Sequence, residues 1–478
     1  MVLFVLCFDP ILRWIDSLMS PINTFIFAYC DDLGLVCEDL VRTWAILKKV
    51  FFIVHRIAAL ELNVSKTQIC ILFLEKQAAI MDGILEIDPV VPRSAFKDYV
   101  KYLGICVGPG AHIVQWKEVI KSYLDTVAFL RSIDAGLATT ISLYNVLAAS
   151  KVSWIGSFVC PSDELLNLER KSLQRLTRGP WQSLTFELLT NLQTIGFPTQ
   201  FQSLALNSVA GRARNGRHTL QDFDNCTDAF EHILPSDERG LAIWRPDRYD
   251  WVARSNLLQI KSAILEVEPA EFGGPEVVWK QSAITKHLRG TASSADHFPL
   301  FKRRLARFFE ADVCHPWIDN IFSIYKKQGK AVKPCILSAH LFSVCNHWCT
   351  KRRFGLPASF CPFGCSDETD NIKHLLVCPC FKRAFLSSVG QNDLQISLGN
   401  ILLFTGNSNS RLLTPVNIRF VLLYNYVCFR CFNCVRHGQP FGHRMIQHIL
   451  KRLALHCHGM RKSIAWFRTH TITIDRAD

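Results

Sequence analysis

Apolar positions recur along this chain with two periods. Near the start, Leu3, Leu6, Pro10 and Trp14 lie three and four apart, the spacing of one helix face, and predict a helix. Two apolar runs rich in aromatic and β-branched residues follow at 25–29 and 33–37, and predict a hairpin with Asp31 and Asp32 at its corner. Helical spacing returns at Leu40, Trp44, Leu47, Phe51, Val54 and Ala58. Ahead of it stand Glu38 and Asp39, charges that suit the positive end of a helix. Asn63 and Ser65 read as a turn and residues 68–73 as a strand; Gly104 lets two backbones approach. Helical periodicity then dominates from Trp116 through Ile120, Tyr123, Val127 and Leu130 to Leu143, Val146 and Leu147. It appears again over 164–175, with Leu165, Leu168, Leu173 and Leu176 on one stripe.

Residues 211–250, richer in Asp, Asn, Gly and Pro, read as a loop or linker. Residues 273–353 are mostly helical by pattern, and 412–435 and 445–465 predict two further helices. The expectation is an α+β fold. Short strands with packing helices occupy 1–110, and a mainly helical remainder divides at 111–210, 211–350, 351–385 and 386–478. No uninterrupted apolar run reaches the ~18 residues of a membrane span, so none is predicted.

Charge sharpens this division. The 478 residues carry a net charge of +13, which favours a polyanionic partner. Residues 1–110 hold ten Lys/Arg against twelve Asp/Glu, whereas 301–353 hold eleven basic residues and three acidic, and 419–468 nine basic and none acidic. A near-neutral front with basic blocks behind fits a catalytic part followed by nucleic-acid-gripping parts. The cationic candidates are Arg303, Arg304 and Arg307, interleaved with Phe301, Phe308 and Phe309, then Arg352 and Arg353, then Lys451 and Arg452 on the last predicted helix.

Nineteen cysteines, an odd and scattered number in a long chain, predict reduced thiols in an intracellular protein, some of them used for metal. Met1 and the apolar residues after it lack a basic leader and run into Asp9-Pro10, so no signal peptide is read. Cys361, Cys365, His374 and Cys378 have the composition and spacing of a tetrahedral zinc site. Two variants stay open: Cys380 in place of Cys378, or an all-cysteine set of Cys345, Cys349, Cys361 and Cys365. Cys428, Cys431 and Cys434 read as buried thiols on a helix. At the hairpin corner, two adjacent carboxylates repel, and a divalent cation with a preference for hard oxygen ligands, Mg²⁺, suits the pair. Pro246-Asp247 could open a nuclease site, but no Asp/Glu-x-Lys strand follows at suitable spacing, and no endonuclease is read.

These motifs occur in a familiar order. Phe27-Ala28-Tyr29-Cys30-Asp31-Asp32 resembles the Ala-Tyr/Phe-x-Asp-Asp box of reverse transcriptases, with flanks like those of non-LTR retrotransposons. Leu62-Asn63-Val64-Ser65-Lys66-Thr67 resembles the family's Leu-Asn-x-x-Lys-Thr segment, Tyr102-Leu103-Gly104 its Tyr-Leu-Gly box, and residues 361–378 the Cys-Cys-His-Cys box near the C-terminus of such proteins. The resemblance implies a partial polymerase palm, a helical thumb, and RNA-directed DNA polymerase ancestry. Asp31 would ligate Mg²⁺ with Asp32 beside it, and Tyr29, Lys66 and Gly104 would contact nucleotide or primer. Partners would be an RNA template and a DNA primer or target, in the nucleus. In the family, a Gly/Pro/Leu/Ser loop and a further metal-binding Asp precede this point, and nothing in these residues matches them. A catalytically incomplete polymerase is therefore expected. The alternatives are a zinc-dependent nucleic-acid-binding protein without polymerase activity, or an inert relic of a retroelement.

Overall fold

The computed structural model describes residues 2–29, 32–72, 76–133, 135–216, 284–285, 288, 294–309, 315–329, 331–350, 360–365, 371–403, 414–456 and 458–472. These are mostly helical, with two small antiparallel sheets, an α+β arrangement. The chain divides into two compact units. One holds Met1–Ile120; the other holds Lys121–Arg217 together with the chain after Ala263. Described residues from 121–210, 284–350, 360–385 and 386–472, predicted as parts of separate regions, are grouped in the second unit.

The first unit opens with helix α1, Val2–Met19, leading to strands β1, Thr24–Tyr29, and β2, Asp32–Cys37. The stripe predicted for α1 is displaced. Trp14 and Pro10 are exposed, while Ile15 and Met19 are fully buried with Ile11 packed beside them. The side chains of Leu3 and Leu6 lie outside the described residues. The two strands pair from Thr24↔Cys37 to Tyr29↔Asp32, which leaves residues 30 and 31 as the connection. One face sends Thr24, Ile26 and Leu35 toward the core; the other leaves Phe25, Phe27, Tyr29 and Val36 exposed.

Helix α2, Leu40–Ala58, starts where expected because Asp39 caps it, its carboxylate accepting from the Arg42 N–H. Trp44, Leu47, Val50 and Val54 bury its inner face, against Ile84 of α3, Gln77–Ile87. Ala58, at the end of the predicted stripe, is exposed.

The strand predicted at 68–73 does not form. Ile69 makes only an isolated parallel bridge to Phe96, and Phe73 lies outside the described residues. Ile69 and Ile71 are buried, so the apolar signal was real. The facing segment turns as a short 3₁₀ helix at Arg93–Ala95, leaving little extended backbone to pair with. Strands β3, Val100–Tyr102, and β4, Ile105–Val107, form the second hairpin.

In the second unit, helix α4, Lys117–Ser132, buries Tyr123, Val127 and Leu130 as predicted. Helix α5, Leu137–Leu143, continues through a π turn at Tyr144–Ala148 into α6, Ala149–Gly156. Ser162 caps α7, Asp163–Leu176, whose buried residues are Leu165, Glu169, Ser172, Leu173 and Leu176. Helix α8 is Leu204–Gly216; the rest of the predicted 211–250 linker, with Pro246 and Asp247, lies outside the described residues.

Further on come α9, Phe298–Phe309, α10, His315–Gln328, and α11, Pro334–Val344. Two short helices, α12 at Ile372–Val377 and α13 at Pro379–Ser388, precede the long α14, Pro415–Arg436. Helix α14 is long and apolar enough to cross a membrane, but 61% of its apolar window is buried, as in a core helix. Trp348 packs against Phe429 and Phe432 on it. The single helix predicted at 445–465 is two, α15, His443–His456, and α16, His458–Thr469.

Candidate metal centre and the acidic hairpin

Cys361, Cys365, His374 and Cys378 converge. Their ligand atoms all lie within 4.8 Å of one another. Local structure explains how. Cys361 and Cys365 flank a tight turn in which Gly364 takes φ +94°, a conformation that would strain a side chain. The Gly364 N–H reaches the Cys361 carbonyl at 3.0 Å, and the Phe363 N–H reaches the Cys361 sulfur at 3.4 Å. His374 lies in the first turn of α12 and Cys378 just past its end; Asn371 caps the helix, accepting from the His374 N–H. Core helix α14 holds α12 in place: the Tyr424 hydroxyl donates to the Leu376 carbonyl at 2.9 Å, and the Cys428 thiol to that of Leu375 at 3.4 Å.

The donor set fits a metal. Sulfur–sulfur distances are 3.6 Å for Cys361–Cys378 and 3.1 Å for Cys365–Cys378. A tetrahedral zinc site with Zn–S near 2.3 Å needs an edge of about 3.8 Å, a small expansion of this cluster. The thiols hydrogen-bond one another: that contact with Cys378 is the largest of the influences that lower the Cys361 thiol to about 5, while Cys378 is pushed up. Crowded sulfurs of this kind readily give up protons to a thiophilic cation.

The rival ligand sets do not assemble. Cys345 is buried at the end of α11, its thiol pushed up to about 12 chiefly by burial. The Cys349 thiol points to the Arg178 carbonyl, 3.6 Å away. Cys380 borders the cluster, hydrogen-bonded to Cys365, and is a neighbour rather than a member.

Of the acidic pair, Asp32 is exposed at the first position of β2 and Asp31 lies outside the described residues. Tyr29, paired with Asp32, is exposed as well. The second hairpin reaches this place. Gly34 leaves room for the Tyr102 ring, which would stand 3.3 Å from a β-carbon there. Burial, and secondarily the Asp32 charge, push the Tyr102 phenol up. The structure thus brings the Tyr102-Leu103-Gly104 turn and the acid-tipped hairpin together. Gly104, at φ +86°, turns the chain behind Tyr102. Lys66 is exposed in a turn organised by Asn63, whose side-chain oxygen accepts from the Lys66 N–H and the Ser65 hydroxyl.

The cationic candidates separate. Arg303 and Arg307 are exposed on α9, and Lys451 and Arg452 on α15. Arg304 is a correction: it is buried and donates to the Gln182 carbonyl at 2.8 Å. It lies on the inward stripe with Phe301, Leu305 and Phe308, so its charge serves packing rather than a phosphate. Arg352 and Arg353 lie outside the described residues.

Sequence reasoning missed two buried polar clusters. Glu169 sits among Tyr123, Tyr144 and Ser172, and its carboxyl accepts from the Leu204 N–H at the start of α8, 2.8 Å away. The His347 ring lies against Gly179 and joins Ser183 to the Thr177 carbonyl. Glu169 stands midway between Leu165 and Leu173 on their apolar stripe, an acid in a position where periodicity places an apolar residue. Comparison with protein-family models, with curated proteins and with solved structures returned no match.

Proposed function

We propose that this chain derives from a non-LTR retrotransposon reverse transcriptase, and that the function its geometry supports best is zinc-dependent nucleic-acid binding by the second unit. The carrying observation is the convergence of Cys361, Cys365, His374 and Cys378 within 4.8 Å, followed along the chain by the acid-free basic stretch 419–468. Zinc would be structural: all four positions are taken by protein donors, leaving no open position for substrate. Its role is to fix the turn at Gly364 and helices α12 and α13. The protein should bind about one zinc per chain, and His374→Ala should release it and lower the melting temperature. Affinity for RNA should fall steeply between 50 and 200 mM salt, as counterion release requires. Metal content by mass spectrometry and fluorescence anisotropy read both. A zinc-free chain with unchanged melting, or salt-insensitive binding, would sink the proposal.

Polymerase ancestry rests on the motif order and is favoured by one contact, the seating of Tyr102 over Gly34 near Asp32. In an intact enzyme Asp31 and Asp32 would hold Mg²⁺, which would supply activation of the primer hydroxyl. No match to the family's nucleotide-positioning loop occurs in these residues. Primer extension by the 478-residue chain on poly(rA)/oligo(dT), with Mg²⁺ or Mn²⁺, should therefore stay at background. Robust synthesis abolished by Asp31→Asn would show a working catalytic centre instead.

A further inference from the structure

Helices α15 and α16 form a hairpin whose charge is of one sign. On α15, Ile446, Ile449, Leu450 and Leu453 are buried, so Arg444, His448 and Lys451 recur at helical spacing along the outward stripe. On α16, Met460, Ile464 and Phe467 are buried. Lys462 and Trp466 therefore face outward, and Arg461 and Arg468 lie on one flank. That flank meets α15, because the Arg468 guanidinium donates to the Gln447 side chain at 3.1 Å. Cations from both helices thus line one seam. Among the described residues the ion pairs are Arg13–Asp9, Lys48–Asp88 and Lys101–Glu118, all outside this hairpin. Like charges gathered on one surface repel one another, and an anion bound among them relieves that repulsion.

The same hairpin presents an aromatic platform. The Trp466 indole, 37% exposed, stacks on the exposed His470 ring with centroids 4.6 Å apart and planes 6° from parallel. A two-ring stack standing in water on the outward side of α16, one turn from Lys462 and across the helix from Arg461 and Arg468, can take a further flat ring on an open face. Phosphates along the seam with a base on the stack is how single strands are held without sequence reading. A duplex keeps its bases inside and cannot use the platform.

The hairpin is seated on the metal centre. Phe363, inside the Cys361–Cys365 turn, packs on Phe381 of α13 and on Phe441 just before α15, with centroids 5.2 and 4.8 Å apart. His443 and Gln447 bond Ser388 at the end of α13, and Gln391 accepts from the Ile472 N–H beyond α16.

We infer that the α15–α16 seam, with the Trp466–His470 stack, is a binding site for single-stranded nucleic acid held in register by the zinc turn. This rests on the nucleic-acid reading above and names the surface and strand type. The test is anisotropy on the full zinc-loaded chain with a labelled single-stranded RNA, the same sequence as single-stranded DNA, its duplex, and phosphatidylserine vesicles. The combined Arg444→Gln, Lys451→Gln and Arg461→Gln variant should lose ~10-fold or more for single strands. Its log–log salt slope should shrink by about 2, from roughly 0.7 per lost phosphate contact. Trp466→Leu should lose ~10-fold for single strands and little for duplex, while Trp466→Phe keeps most of the affinity. Zinc content and melting temperature verify that each variant is folded; if Trp466→Leu unfolds, His470→Ala replaces it.

Unchanged binding by the charge variant, in a parent that binds nucleic acid, would move the surface elsewhere and leave the zinc-dependent reading standing. Equal loss on duplex and single strand would remove the stacking platform. Preference for vesicles would make this a lipid surface and overturn the inference. A parent that binds no nucleic acid at all would sink both.

Discussion

Glu169 shows how one side chain can set a pH response for a whole unit. Burial is the main reason its carboxyl is raised to about 8; the Leu204 N–H and the nearby Arg170 charge pull the other way without prevailing. A raised carboxyl means that the folded chain binds a proton which the unfolded chain releases near pH 4.5. Stability from this group is therefore full below pH ~4.5 and declines as pH rises toward about 8, opposite to an ion-paired carboxylate. Glu169→Gln keeps an oxygen to accept from Leu204 and removes the ionisation. The variant should melt a few degrees higher at pH 8 than the parent, with the difference shrinking to nothing by about pH 4, by calorimetry across that range. A constant difference at every pH would refute this account. The periodicity of α7 was legible from its leucines. The acid among them was not, because an apolar stripe is read from the residues that match it.

At the scale of elements, the second hairpin depends on its shortest part. Tyr102 and Ile105 pair directly, so Leu103 and Gly104 alone make the turn, with φ of +48° and +86°. Two positive values are the signature of the turn that matches strand twist, for which Asn-Gly is preferred. Leucine gains nothing from that conformation and is strained in it by about 1 kcal/mol. Leu103→Asn should stabilise the chain by ~0.5–1 kcal/mol in denaturant titration; a loss would mean that the leucine side chain contributes more by packing than its backbone costs.

Other elements mark the limits of pattern reading. Glu38 and Asp39 announced α2 by their charge, and the two apolar runs announced the first hairpin. The run at 68–73 promised a strand but met a turning partner, and pairing is a property of two segments. At 445–465, Gly459 was the one local sign that a continuous amphipathic pattern held two helices. Arg304 belonged to a basic run whose composition was legible and whose inward face was not. Only the phase of α9 against its neighbours separates Arg304 from Arg303 and Arg307.

Across the whole molecule, what was legible was what is local. The four candidate ligands fall within one short stretch, so spacing alone picked out residues that the structure brings together. The Tyr102–Gly34 contact and the grouping of 121–216 with the chain after 263 join distant segments, and no periodicity carries that information. The placement of the metal ligands also bears on assembly. Closing a loop from Cys361 to Cys378 gives up little chain entropy, whereas bringing Phe441 onto Phe363 must organise a far longer stretch. On the proposed zinc reading, the ligand stretch leaves the ribosome first and takes up the metal while α15 and α16 are still untranslated. The last helices would then dock on a foundation already set, and a cell short of zinc would make chains whose tails have nowhere to land.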